Sequence, residues 1–492
     1  MAVSPADGGL RVRLEFGAPV REVAFARTEN VRRDAWQVVA GGLSLEGGVL
    51  RGARAVTKVE LLVLPDPEEH DRVFPSLTRV GGGLALYGPA LLVSGYQARL
   101  EVEPGPGAIA WPERDALAGY LYVGPAREVS ERGGLRVIGG DSVPRWLADA
   151  ISEEAVTALA TYQEALGRAV DAPALIVTDD APGPMPLHAD VTDNAIVFLR
   201  FHGPTWAEPD AGRAREIARL VRHEIFHLWN RSPRPGTPPW LHEGGAEYAA
   251  IVAAVQSKVL SEEQGVEQVS FHLARCRRAL GERSMTELER GGPAVYHCGV
   301  TLQWLADLQA RRESGGARST FSLWSELLAR ADGGGYSVED FRARAGSLVA
   351  QLFDQAPGAG RWARLSRALE GYGVVVSHRA QAGELRAALV QHLLAQHCGD
   401  QPRGFWTHDR SVRLDTGSRC GLLSGDPEIT AVEGHEVIRD AAAAFEAAAR
   451  RCRAARPVRL RRATGGDLAV PCDRPLERPE GFQLEAAPPL AL

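Results

Sequence analysis

Read for its apolar positions, the chain changes period twice. Up to about residue 140 it consists of short alternating runs, such as LRVRLEF (10–16), KVELLVL (58–64) and YQARLEVE (96–103), separated by Gly and Pro. Side chains that alternate between core and solvent predict strands with one buried face, hence an antiparallel β domain over 1–140. From Pro144 the spacing lengthens: RWLADAISEEAVTALATYQEAL (145–166) places apolar residues three and four apart, and PALIVTD (173–179) and NAIVFLRF (194–201) read as strands. Helical patterns then dominate from Ala211 to about Leu369, broken at SPRPGTPP (232–239) and ESGGA (313–317). Beyond Gly371 strand-like and helical pieces mix again, with a long Ala/Arg helix over 438–455. The resulting fold class is a multidomain α+β protein with segments 1–140, 141–370 and 371–492.

Composition narrows the function classes. At 492 residues, 45% hydrophobic and 24% charged, the chain is long and apolar enough to bury several cores. Its net charge of −6 removes the basic footprint of a nucleic-acid partner. No run reaches the length of a membrane span, and the first ten residues lack a basic stretch followed by an apolar one. Six cysteines form no CxxC pair; either they are buried thiols, or the four between Cys398 and Cys472 staple a weak C-terminal domain. Stapling favours an exported protein whose leader has been removed; otherwise the compartment is the cytoplasm.

The chemistry concentrates at His223-Glu224-Ile225-Phe226-His227, preceded by the helical run GRAREIARLVR. Residues four apart share one face of a helix, so His223 and His227 can meet one metal ion while Glu224 points at the open ligand position. With 13 histidines in the chain, chance supplies roughly 0.02 such motifs. A third ligand is expected from Trp240-Leu241-His242-Glu243, and Glu243 is the candidate. Glu247, one turn on, is placed to accept the second N–H of a ligating imidazole, His223 first. The alternatives are a first-turn acid at Glu243 and a solvated face residue at Glu247. Trp229 and Trp240 read as core aromatics, Asn230 as a helix cap, and His242 and His297 as imidazoles near the cleft rather than ligands.

HEIFHLWN (223–230) followed by PPWLHEGGAEYAA (238–250) resembles the gluzincin zinc metallopeptidases, and the H-x-W-N ending resembles the glycyl aminopeptidase family in the aminopeptidase N-like clan. Tyr296-His297-Cys298-Gly299 resembles the Tyr-x-x-Gly helix of these enzymes, and YSVEDF (336–341) the start of a late helix. The resemblance implies a thermolysin-like, mostly helical catalytic domain holding one Zn2+ on His223, His227 and Glu243, with Glu224 as general base and Tyr296 as oxyanion stabiliser. It also implies a peptide substrate. Two departures stand out: 15 residues separate His227 from Glu243 where aminopeptidase N types usually have 18, and no G-x-M-E-N segment supplies a glutamate for a substrate amine. Asp190 and Asp193, before the strand DNAIVFLRFHG (193–203), are the candidate amine binders, and that strand is the expected sheet edge for pairing with peptide.

CGLLSGDPEITAVEGHEVI (420–438) resembles the G-L-x-x-G-D-x-I-x-x-V-x-G core of a PDZ domain, with an extra residue before Ile429 and a possible carboxylate loop at Gly404-Phe405. The competing functional class is a non-catalytic peptide-binding protein with a vestigial or structural metal site. Retention of Glu224 argues for the enzyme, because a structural zinc takes all four ligands from protein and needs no base.

Overall fold

The computed structural model describes residues 1–490 apart from 28–29, 71–72, 180–181, 184–185, 282, 289–290, 332–334, 354–359, 400–403, 409 and 418–419. The chain divides into two compact units: Met1–Gly265 with Glu289–Ala350 and Leu490–Leu492, and Val266–Leu288 with Gln351–Pro489.

In the first unit the alternating N-terminal segment builds two sheets. One is organised on the long antiparallel strands Gly9–Ala24 and Val49–Val63, where Val12, Leu14, Val59 and Leu61 face inward. It is antiparallel except where Ala2–Ala6 pairs in parallel with Glu101–Val102. The second holds Leu77–Val80, Gly83–Tyr87, Ala108–Trp111 and Tyr120–Pro125. Their core continues into Ile138, Ile176, Ile196 and Phe198 of the following sheet, so segments 1–140 and 141–370 share apolar packing.

That third sheet runs Val129–Arg132, Leu135–Ile138, Ala174–Thr178, Ile196–Phe201, Leu187–Val191, with a parallel centre and an antiparallel strand at each edge. The expected edge, the strand within 193–203, lies inside the sheet instead. All six residues of Ile196–Phe201 are buried, the signature of a strand covered on both faces. The edge is Leu187–Val191, whose residues are all partly exposed.

Four helices set up the site, with a fifth in the chain between them. They are α1 (Arg145–Leu166), α2 (Ala211–Asn230), α3 (Pro239–Gln256), α4 (Glu262–Leu280), most of which belongs to the second unit, and α5 (Pro293–Ser314). Asp210 caps α2 by accepting from the backbone of Gly212 at 2.8 Å and Arg213 at 3.1 Å. Proline at the first position of α3 and of α5 fixes where each begins.

In the second unit a five-stranded path, Gly404–Thr407, Val412–Asp415, Glu428–Val432, Val458–Arg462, Leu468–Val470, shares a core with the helices Ala382–His397 and Ala441–Arg453. Cys398 bonds Cys420 and Cys452 bonds Cys472, and no cysteine is a free thiol. The thiol alternative is thereby corrected: sequence spacing alone did not distinguish it from stapling.

Candidate metal and active site

The HExxH segment lies at the end of α2, where Phe226 packs edge-on against Tyr162 of α1 and against Trp324. This apolar side fixes the helix rotation, and the opposite side presents His223, Glu224 and His227, all buried. Glu243, in the first turns of α3, completes the group. His223 Nε2 is 3.1 Å from His227 Nε2 and 3.3 Å from a Glu243 oxygen, and that oxygen is 3.6 Å from His227 Nε2.

Hydrogen bonds on the far side of each ring assign the nitrogens. Asn230 Nδ2 donates to the His242 carbonyl at 2.9 Å, so its Oδ1 is left to accept from His227 Nδ1 at 2.7 Å. His223 Nδ1 donates to Glu247, which only accepts when ionised, at 3.0 Å. With both rings neutral, both Nε2 atoms carry lone pairs and face each other at 3.1 Å beside a carboxylate. Three acceptors converging on one point favour a cation there. Tetrahedral zinc with bonds of about 2.0–2.1 Å sets its donors roughly 3.3 Å apart, so these residues fit the ion. Where no cation is bound, the same surroundings favour a proton in its place: burial opposes charge on His223, yet hydrogen bonds to Glu243 and Glu247 outweigh it and hold the imidazolium pKa up to about 10, so a metal ion would displace that proton to reach the Nε2 lone pair.

Glu247 is nearly fully buried, and Arg219, one turn before His223 on α2, donates one nitrogen to both of its oxygens at 2.6 and 2.8 Å. Burial raises the pKa of Glu224, with His223 and His227 opposing and Glu243 and Asp190 adding to it. Burial likewise opposes ionisation of Glu243, but hydrogen bonds from His223, His227 and His242 hold it well below the carboxylate range. The Tyr296 ring sits 5.9 Å from that of His223, within hydrogen-bond reach of Glu243, and burial with the nearby Glu243 and Glu224 charges keeps its phenol protonated.

The structure therefore brings together His223, His227, Glu243, Glu224, Glu247 and Tyr296. Trp229 and Trp240 are buried, and His242 Nε2 stands 3.4 Å from Glu243. Asp193 is exposed, whereas Asp190 lies on the edge strand, accepting from Arg200 at 2.6 Å and from the Tyr120 hydroxyl at 3.3 Å. Asn230 is not a cap, since it ends α2 and Arg231 follows as the C-cap; its side chain orients His227, and its carbonyl accepts from the Tyr336 hydroxyl at 2.5 Å. Sequence reasoning missed Arg219, although its i−4 spacing from His223 was visible.

Two other donor clusters fit a metal poorly. At Glu69, His188 and His202 the cation's place is taken by Arg200, with two nitrogens 2.8 Å from one Glu69 oxygen. Near His392 the two sulfurs are already in a disulfide.

No protein-family model and no curated protein matches this sequence. Among solved structures, the chain is similar to an aminopeptidase N family protein from Idiomarina loihiensis, with a TM-score of 0.60 at 13% identity, covering 99% of this chain and 98% of that one. The shared property is the fold, an aminopeptidase N-like arrangement along nearly the full length of both chains.

Proposed function

We propose that the chain is a zinc-dependent metallopeptidase acting as an aminopeptidase. The observation that carries this reading is the convergence of two imidazole lone pairs and the Glu243 carboxylate, 3.1–3.6 Å apart, beside a buried Glu224 that is not needed as a ligand. A zinc ion held by His223, His227 and Glu243 would acidify a water and polarise the scissile carbonyl.

The chain's own residues supply the rest. Glu224, its pKa raised by burial, accepts a proton from the attacking water and returns it to the leaving amine. Tyr296, held protonated, donates from its hydroxyl to the carbonyl oxygen as negative charge develops there. The strand Leu187–Val191 ends the order of its sheet among the described strands, which suits it to pair with an extended peptide. On that strand Asp190 Oδ1 is buried without a hydrogen-bond donor, which suits it to receive the free ammonium of a substrate. The C-terminal sheet and the helix Ala441–Arg453 we read as a PDZ-like appendage, and the disulfides suit an oxidising, exported location. No helix among the described residues is long and apolar enough to cross a membrane.

The test is Glu224→Gln assayed on a panel of aminoacyl amides, with metal content measured in parallel. Hydrolysis should fall by at least about a thousandfold while one zinc per chain is retained. Unchanged turnover would remove the base assignment, and a wild-type chain inert on every peptide yet stoichiometric in zinc would favour the non-catalytic binding protein.

A further inference from the structure

In the second compact unit a cavity of about 100 Å³ opens between α4, the first turn of the helix Ala382–His397 and the strand Gln483–Ala486. Its walls hold polar groups that the fold leaves unmatched. Arg275 stacks over Phe271, 4.2 Å from the ring centroid, and among the described residues no carboxylate pairs with it. Burial depresses its pKa, the neighbouring Arg278 and Arg386 push the same way, and the Glu384 charge opposes them. Arg278 reaches the nearest acid, Glu384, only at 4.0 Å.

Glu384 is already occupied, accepting from the Gln381 backbone at 3.2 Å and from Gln483 Nε2 at 2.8 Å. Because a carboxylate only accepts, the second bond fixes which end of the Gln483 amide is nitrogen. Gln483 is 5% exposed, and its Oε1 is left buried with no donor. A buried acceptor without a donor is rare in native folds and points to a missing partner.

These demands select the ligand. A simple anion would satisfy Arg275 but face Gln483 Oε1 and the nearby Glu384 carboxylate. A simple cation would do the reverse. A molecule with a carboxylate and an ammonium on one carbon answers both, and the half-exposed face of Phe271 beside Leu484 suits an apolar side chain.

We infer that this cavity binds a free α-amino acid with an apolar side chain, its carboxylate on Arg275 and Arg278 and its ammonium on Gln483 Oε1 beside Glu384. The site does not rest on the peptidase reading, since none of its residues belongs to the metal cluster. A peptide C-terminus carries the same carboxylate but only an amide N–H, and the experiment separates the two.

The test is titration calorimetry on the full chain with leucine, leucinamide, N-acetylleucine, 4-methylpentanoate and inorganic phosphate, repeated after chelation of metal. Leucine should bind saturably, one per chain, with or without metal. Loss of either charge should weaken binding by about tenfold or more, and so should Arg275→Met, whose stem still covers Phe271. The ligand series uses the unaltered chain, so it stands even if that variant misfolds. No saturable binding of leucine or phenylalanine at about 10 mM would overturn the inference. Phosphate or 4-methylpentanoate matching leucine would overturn it in favour of a plain anion site, and N-acetylleucine matching leucine in favour of a peptide-terminus site.

Discussion

Gly244 of α3 and Gly299 of α5 face each other so closely that a Cβ on Gly299 would stand 2.5 Å from the Gly244 Cα and 2.3 Å from the Trp240 carbonyl oxygen. Glu243 precedes the first glycine and Tyr296 lies one turn before the second, so this backbone contact brings the phenol to the metal ligand. Gly299→Ala should push the helices apart, costing about 1–3 kcal/mol of stability. It should also lower kcat about tenfold or more while leaving zinc bound, because Tyr296 would lose its reach toward the carbonyl oxygen. Urea midpoints and steady-state kinetics on the variant measure the two effects; full activity would show that Tyr296 is not placed by this contact.

How far the site can be read from sequence follows from which physical constraint is local. His223, Glu224 and His227 sit on one helix, so spacing alone sets their geometry, and Glu247 follows Glu243 by the same rule one helix later. The edge of the sheet is not local. Leu187–Val191 is a short strand whose LHADV pattern is weakly apolar, whereas Ile196–Phe201, apolar but for Arg200, is the stronger strand signal although such runs belong inside a sheet. The partners of Asp190 were equally hidden: Tyr120 and Arg200 reach it only through strand order, and Glu69 joins Arg200 from 131 residues away.

Arg219 holds the carboxylate that orients His223, through bonds of 2.6 and 2.8 Å to Glu247. Arg219→Met should remove the cation that holds the Glu247 carboxylate toward His223. Zinc affinity, measured by competition with a chelator, should fall about 10- to 100-fold. Arg219→Lys should restore part of it as a single point charge. Equal affinity in all three proteins would mean that Glu247 is held in place without Arg219.

Asp190→Asn keeps the shape of the side chain and removes its charge. If Oδ1 receives the substrate ammonium, kcat/KM for aminoacyl amides should drop roughly 10- to 100-fold, the value of one charge-assisted hydrogen bond. N-acylated peptides, which lack the ammonium, should show little change. Parallel losses on both substrate sets would assign Asp190 to holding Arg200 rather than to the amine.

Glu69 gives the first unit an acid-sensitive joint. Its side chain is 3% exposed and is bonded to Arg200 at 2.8 Å, near His188 at 2.8 Å and His202 at 2.6 Å. Burial opposes its charge, but His188, His202 and Arg200 prevail and hold its pKa far below the usual carboxylate range. A carboxyl group whose folded pKa is depressed stabilises fully above its unfolded value, about 4.3, and loses that contribution as pH falls from there toward the folded value. Glu69→Gln should therefore cost about 3 kcal/mol at neutral pH, because Arg200 stays buried with one acid fewer. The difference between variant and parent should shrink as pH drops from about 5 to 3. Denaturant midpoints across that range decide it: two curves that remain parallel would place the acid sensitivity on another group.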